Sequence, residues 1–300
     1  VKFGASISPA VSADGTTLAT AGDISDVPDH EKMVQVWNLE SGQEQARLAG
    51  PGGHRNDVRY LALSHDGKTL ITAPKQEGSS GLLAWDATTG QSRGKLQGHE
   101  GRVVHMSFSK DGTTLATATF NGDQSIKLWR GRPDRARVAF REHEGPVFCV
   151  AFSPDGKLLA STSTFDVPSS MTGSGGNRGP DNTLRIWDLE RKEQRHVIPQ
   201  DRMATRTAFT PDGKTVCSTG NVDGFHTMRL WDPFSGQMKL AFGRWKRQTL
   251  AFAGFSTDGR TTISYASPAI KAVGILAWNT RTGKLQRDTG IKGRHRGMAG

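Results

Sequence analysis

An Asp-Gly turn and a tryptophan that closes a strand recur together six times along this chain, and nothing else in it constrains the fold so tightly. The turns begin at Asp14, Asp66, Asp111, Asp155, Asp212 and Asp258. The tryptophans stand at Trp37, Trp85, Trp129, Trp187, Trp231 and Trp278, at spacings of 48, 44, 58, 44 and 47 residues. The stretch from Gly98 to Trp129 is the template. An apolar strand holds Val103, Val104, Met106 and Phe108, the turn Asp111-Gly112 follows, then Leu115 to Thr119, then Ile126 to Trp129. A period in the middle forties with several short strands per unit predicts stacked blades of four antiparallel strands. Inner strands are apolar on both faces, as strands covered from both sides are. Outer strands such as Arg137-Val138-Ala139-Phe140-Arg141 mix charge with apolar residues, as an exposed sheet edge does.

The motifs Gly98-His99, Phe152-Ser153-Pro154-Asp155-Gly156 and Leu184-Arg185-Ile186-Trp187-Asp188 resemble the WD-repeat (WD40-type) β-propeller family, and the resemblance covers essentially the whole chain. It implies an all-β propeller with six four-stranded antiparallel blades visible, forming one domain and part of a ring of seven blades or more. The blades are expected at about 1–50, 51–97, 98–141, 142–197, 198–243 and 244–293. Residues 294–300 are read as the start of a further repeat, because His295 follows Trp278 by the interval that separates His54 from Trp37. An incomplete ring would leave the flanks of blades one and six uncovered, and a chain starting at Val1 is expected to be a piece of a longer one.

The resemblance also implies a polar tetrad inside a blade. In blade three His99, Thr117, Asp123 and Trp129 take its positions; in blade four His143, Ser161, Asp181 and Trp187 do. A buried indole N–H needs an acceptor, the hydroxyl that accepts it needs the imidazole, and the aspartate fixes the imidazole tautomer. Counting back from the other turns gives His54 in blade two but Lys2, Gln200 and Lys246 elsewhere, and counting back six from the other tryptophans gives Glu31, Ser79, Phe225 and Ala272 where the aspartate would stand. Only blades three and four therefore carry the full set, and the order of blades five and six is expected to rest on packing.

A hydroxyl, a histidine and an aspartate also spell a hydrolase triad, but one recurring at matched positions beside a tryptophan reads as scaffold. No Gly-x-Ser-x-Gly elbow occurs. Gly173-Ser174-Gly175-Gly176 lacks a dinucleotide fingerprint's third glycine, and Asp23, Asp26 and Asp29 lack the spacing of a calcium loop. No Cys/His cluster has metal-ligand spacing. No enzyme, cofactor or metal is expected. The two cysteines, Cys149 and Cys217, read as small buried hydrophobes and favour a reducing, cytoplasmic location. No apolar run approaches the ~18 residues of a membrane span.

The expected activity is binding. From the strand-two hydroxyl to the tryptophan the spacing is 12 to 14 residues in four blades, but 17 in blade one and 26 in blade four. In the family these connections share one end of the ring with the segments joining consecutive blades, and insertions gathered on one face mark a binding face. Trp245, the seventh tryptophan, stands in Arg244-Trp245-Lys246-Arg247, placed on the segment leading into blade six. A tryptophan among arginines is an interface anchor; packing inward in place of the missing histidine is the competing reading. The partner-binding candidates are Arg244, Trp245, Lys246 and Arg247, with Arg55 and Arg102 on the segments leading into blades two and three. Arg130, Arg132, Arg135, Arg137 and Arg141 form a second basic run. The net charge of +10 favours an acidic protein partner, with nucleic acid as the weaker alternative and the propeller itself monomeric. The second functional reading is a regulatory or sensory propeller attached to a catalytic domain, such as a kinase, outside this sequence.

Overall fold

The computed structural model describes residues 9–21, 34–48, 58–74, 81–130, 136, 138–164, 181–200, 206–222, 225–246, 249–267 and 274–288. Its secondary structure over these residues is strand and turn, with no helix among them. Blade one is β1 (Ala10–Val11), β2 (Thr17–Ala21), β3 (Val34–Asn38) and β4 (Glu44–Leu48). Blade two is β5 (Val58–Leu63), β6 (Thr69–Pro74), β7 (Leu82–Asp86) and β8 (Ser92–Leu96). Blade three is β9 (Val103–Phe108), β10 (Thr114–Thr119), β11 (Ile126–Arg130) and β12 (Val138–Phe140). Blade four is β13 (Val147–Phe152), β14 (Leu158–Ser163), β15 (Thr183–Asp188) and β16 (Glu193–Pro199). Blade five is β17 (Thr207–Phe209), β18 (Val216–Val222), β19 (Phe225–Trp231) and β20 (Met238–Lys246). Blade six is β21 (Thr249–Phe255), β22 (Thr261–Ser267), β23 (Gly274–Asn279) and β24 (Leu285–Asp288). Each sheet pairs four consecutive strands in order, all antiparallel, so no blade borrows a strand from another among the described residues.

The first hairpin of every blade is closed by the same device. A hydroxyl two residues before the aspartate (Ser12, Ser64, Ser109, Ser153, Thr210 or Ser256) donates to its carboxylate at 2.5–2.7 Å. The same oxygen accepts the amide five residues on, for example Leu158 N–H at 2.8 Å and Thr215 N–H at 3.1 Å. The glycine after the aspartate has φ between +66° and +74° in all six turns, the left-handed region that penalises any Cβ.

Five buried clusters fill the five seams between successive blades. Trp85 packs with blade one, Trp129 with blade two, Trp187 with blade three, Trp231 with blade four and Trp278 with blade five. Each tryptophan thus faces backwards along the chain. Trp37 has no preceding blade among the described residues and is only half-buried. The opposite flank lies on blade six, where Ile275 is 53% exposed and Ile263, Tyr265 and Ala277 are half-covered, while Phe252, Thr262, Leu276 and Trp278 on the inward flank are buried. No buried cluster among the described residues joins blade six to blade one.

Candidate protein-docking face

The six indoles share one partner type. Each Nε1–H donates to a strand-two hydroxyl: Trp37 to Thr20 (3.2 Å), Trp85 to Thr72 (3.0 Å), Trp129 to Thr117 (2.9 Å), Trp187 to Ser161 (2.8 Å), Trp231 to Ser218 (2.9 Å) and Trp278 to Ser264 (2.8 Å). In blade four the chain runs on. Ser161 Oγ lies 2.7 Å from His143 Nε2, and His143 Nδ1 lies 2.8 Å from Asp181 Oδ2. The carboxylate requires the proton on Nδ1, so Nε2 accepts from the serine hydroxyl. In blade three Thr117 Oγ1 lies 2.6 Å from His99 Nε2, and Asp123 Oδ2 lies 3.3 Å from Nδ1.

A cation four residues after each aspartate completes these groups. Lys127 is buried and its ammonium donates to Asp123 and to the Gly98 carbonyl; Arg185 stands 3.7 Å from Asp181. Burial pushes both carboxyls up, but hydrogen bonds outweigh it, from His99, Lys127 and Ser125 at Asp123 and from His143 and Thr183 at Asp181, so both sit well below the usual range. Burial holds both imidazoles below their ordinary value despite the adjacent carboxylates. In blade four His143, Ser161 and Asp181 are all buried.

Blade five departs from its expected reliance on packing. Gln200 fills the histidine position, and its Oε1 accepts from the Ser218 hydroxyl at 2.9 Å, so a buried polar chain Trp231–Ser218–Gln200 survives without an imidazole. Cys149 also has polar neighbours. Its Sγ lies 3.5 Å from His105 Nε2 and 3.6 Å from the Thr207 carbonyl, whereas the Cys217 thiol is pushed up by burial.

The joining segments and the strand-two-to-three connections meet at one end of the blades. Phe120 N–H donates to the Arg102 carbonyl (2.9 Å), Arg102 N–H to Asn121 Oδ1 (2.8 Å), and Thr219 N–H to the Arg206 carbonyl (3.2 Å). The long connection of blade four leaves from Thr164, whose N–H donates to the Pro146 carbonyl, and returns at Asp181 on the same end. Arg102 lies there. Arg55 and Arg247 lie outside the described residues, as do Arg132, Arg135 and Arg137. Of Arg244, Trp245 and Lys246 the backbone is described, and it differs from the expected joining segment. β20 runs on through Lys246, with Trp245 opposite His226 and Lys246 opposite Phe225. The hairpin between β18 and β19 is correspondingly long, pairing from Val216–Trp231 to Val222–Phe225, and this carries the outer strand further than in the other blades. Arg130 and Arg141 are exposed at the two ends of the second basic run.

The WD domain, G-beta repeat model matches residues 90–130 and 135–188. Autophagy-related protein 16 of Arabidopsis thaliana is 32% identical over 38% of this chain and 19% of its own length. A probable cytosolic iron-sulfur protein assembly protein CIAO1 homolog of Caenorhabditis elegans is 30% identical over 39% of this chain and 33% of its own. Apoptotic protease-activating factor 1 of Homo sapiens is 27% identical over 77% of this chain and 16% of its own. The matched region thus spans a third or less of each of these relatives. Six four-stranded antiparallel sheets, a tryptophan–hydroxyl bond in every blade and repeat matches over blades three and four make this chain similar to the WD40-repeat β-propellers.

Proposed function

We propose that this chain is a non-catalytic interaction scaffold that presents one end of its blades to a protein partner. The observation that carries the reading is the convergence of joining segments and strand-two-to-three connections on one end, where the long connection of blade four begins and returns. Variable loops on a rigid scaffold are where binding concentrates. The polar groups that could mimic an active site are buried and engaged within their blades. A net charge of +10 directs the reading towards an acidic protein surface. A reducing, cytoplasmic location is part of this reading, and two free, buried cysteines favour it. The test is affinity capture with the intact protein, a variant with residues 167–179 shortened, and one with Arg244, Trp245 and Arg247 replaced. Loss of a captured partner in either variant, with the melting transition kept, supports the reading; undiminished capture by both rejects it.

A second reading has one observation in its favour. The match to apoptotic protease-activating factor 1 covers 77% of this chain but 16% of that protein, so there the similar region is one part of a much longer polypeptide. By analogy this propeller would regulate a catalytic domain on the same polypeptide. A full-length transcript without any further domain would remove it.

A further inference from the structure

One cation at the docking end has no counter-charge among the described residues. Arg102 immediately precedes the inner strand of blade three, and its guanidinium lies over the Phe120 ring, 4.9 Å from the centroid. Phe148 of blade four meets Phe120 edge-on at 5.5 Å. The Arg102 Nε is buried from solvent and has no hydrogen-bond partner. Its hydrogen bonds are made by its backbone N–H and carbonyl, and no carboxylate among the described residues pairs with it. This contrasts with the neighbouring cations: Lys127 holds Asp123, and Arg185 holds Asp181 and Gln194. A buried N–H without an acceptor is uncommon and costs folding free energy.

The support under this group is rigid. An added Cβ at Gly101 would fall 1.7 Å from the Asn121 carbonyl oxygen, so the joining segment and the hairpin tip are pressed together there. The Phe120 N–H to Arg102 carbonyl bond and the Arg102 N–H to Asn121 Oδ1 bond fix the pair further. A preorganised guanidinium loses little freedom on binding and presents a planar fork that matches a carboxylate.

We propose that Arg102, seated on Phe120 and flanked by Phe148, is the docking point for an aspartate or glutamate side chain of the protein partner. This rests on the scaffold reading above. A single guanidinium with no carboxylate partner among the described residues suits a monoanion, whereas phosphorylated segments are held by clusters of arginines. The two aromatic rings suit the methylene stem of an acidic residue and an apolar neighbour beside it.

The test selects peptides from a displayed random 12-residue library on the intact protein, then measures their affinities for it and for Arg102→Met. Methionine keeps an unbranched stem on Phe120 and removes the charge, so the fold is retained, which the melting curve checks; Arg102→Lys serves as a second variant. The expected result is a consensus with one fixed acidic residue. Its replacement by the matching amide weakens binding about tenfold on the intact protein and not on Arg102→Met. A consensus without an acid, equal binding by Arg102→Met, or Arg102-dependent binding of a single-stranded oligonucleotide instead overturns the proposal. Capture of a partner that persists in Arg102→Met sinks this inference alone; no capture by any form sinks the scaffold reading with it.

Discussion

Trp187 and Trp37 occupy the same position in their blades, and their surroundings could hardly differ more. Trp187 is fully buried, stacks at 4.6 Å on Phe140 of the preceding blade, and bonds a serine wired to His143 and Asp181. Trp37 bonds its threonine at 3.2 Å and is half-open on its other side. The lesson is that a blade's own four strands supply only half of its enclosure. The other half comes from the neighbour behind it, and the side chains of blade four are more buried than those of blade one for that reason rather than from richer composition.

The largest expected effect breaks or keeps this comparison directly. Trp187→Ala should cost about 3–5 kcal/mol, the range for emptying a buried aromatic site. Trp37→Ala should cost about 1–2 kcal/mol, since much of its surface is already wet. Denaturant titration checks both, and equal losses would show that blade one is enclosed after all.

Next in size is the contrast between the two polar groups. Asp123→Ala strands the buried Lys127 ammonium as well as His99, so about 3 kcal/mol or more is expected. Asp181→Ala leaves a neutral imidazole and a partly exposed arginine, for which about 1–3 kcal/mol is the ordinary penalty. Reversal of that order in urea melts would contradict the role given to Lys127.

A third effect concerns the open flanks. Residues 1–300 alone should self-associate through Ile275, Tyr265 and the Trp37 side, because contiguous apolar flanks seek cover. Ile275→Asp should lower that association, and a longer polypeptide carrying a further repeat should be monomeric. Sedimentation velocity decides, and a monomeric 1–300 chain with blades one and six in contact would end the idea.

The smallest effect is in the pH profile. Folded His99 and His143 have lowered pKa values, so below about 6.5 the unfolded chain binds more protons than the folded one. Their contribution is complete above pH 6.5 and is lost as the pH falls towards the folded values; the lowered carboxyls of Asp123 and Asp181 add a further loss below about pH 4. Gln200 shows that an amide can occupy the imidazole's place, so His143→Gln should cost about 1 kcal/mol at neutral pH and flatten the fall that begins below about pH 6.5. An unchanged slope would mean that His143 does not titrate on unfolding.

The repeat was legible because turn and tryptophan each answer a local demand, a left-handed glycine and a buried N–H, that reappears in every blade. Gln200 was visible by position, twelve residues before Asp212, but its role was not, because an amide can serve as acceptor without resembling histidine. The extent of β20 was hidden because Arg244 to Lys246 has the composition of a connection; pairing with a lengthened β19 overrides that preference. Arg102 was a candidate by its place on a joining segment, but its aromatic seat on Phe120 and Phe148 had no sequence signature. The three residues belong to two blades and to none of the repeating landmarks, and only the close approach at Gly101 brings them together.

The backward-facing tryptophans give the molecule a direction in time. A chain emerges from synthesis N-terminus first, and domains form as their residues become available. From blade two onwards each indole then meets a surface already laid down, and never has to wait for one not yet made. Loss of an early blade should therefore disable every later one in turn, whereas loss of the last should leave its predecessors standing.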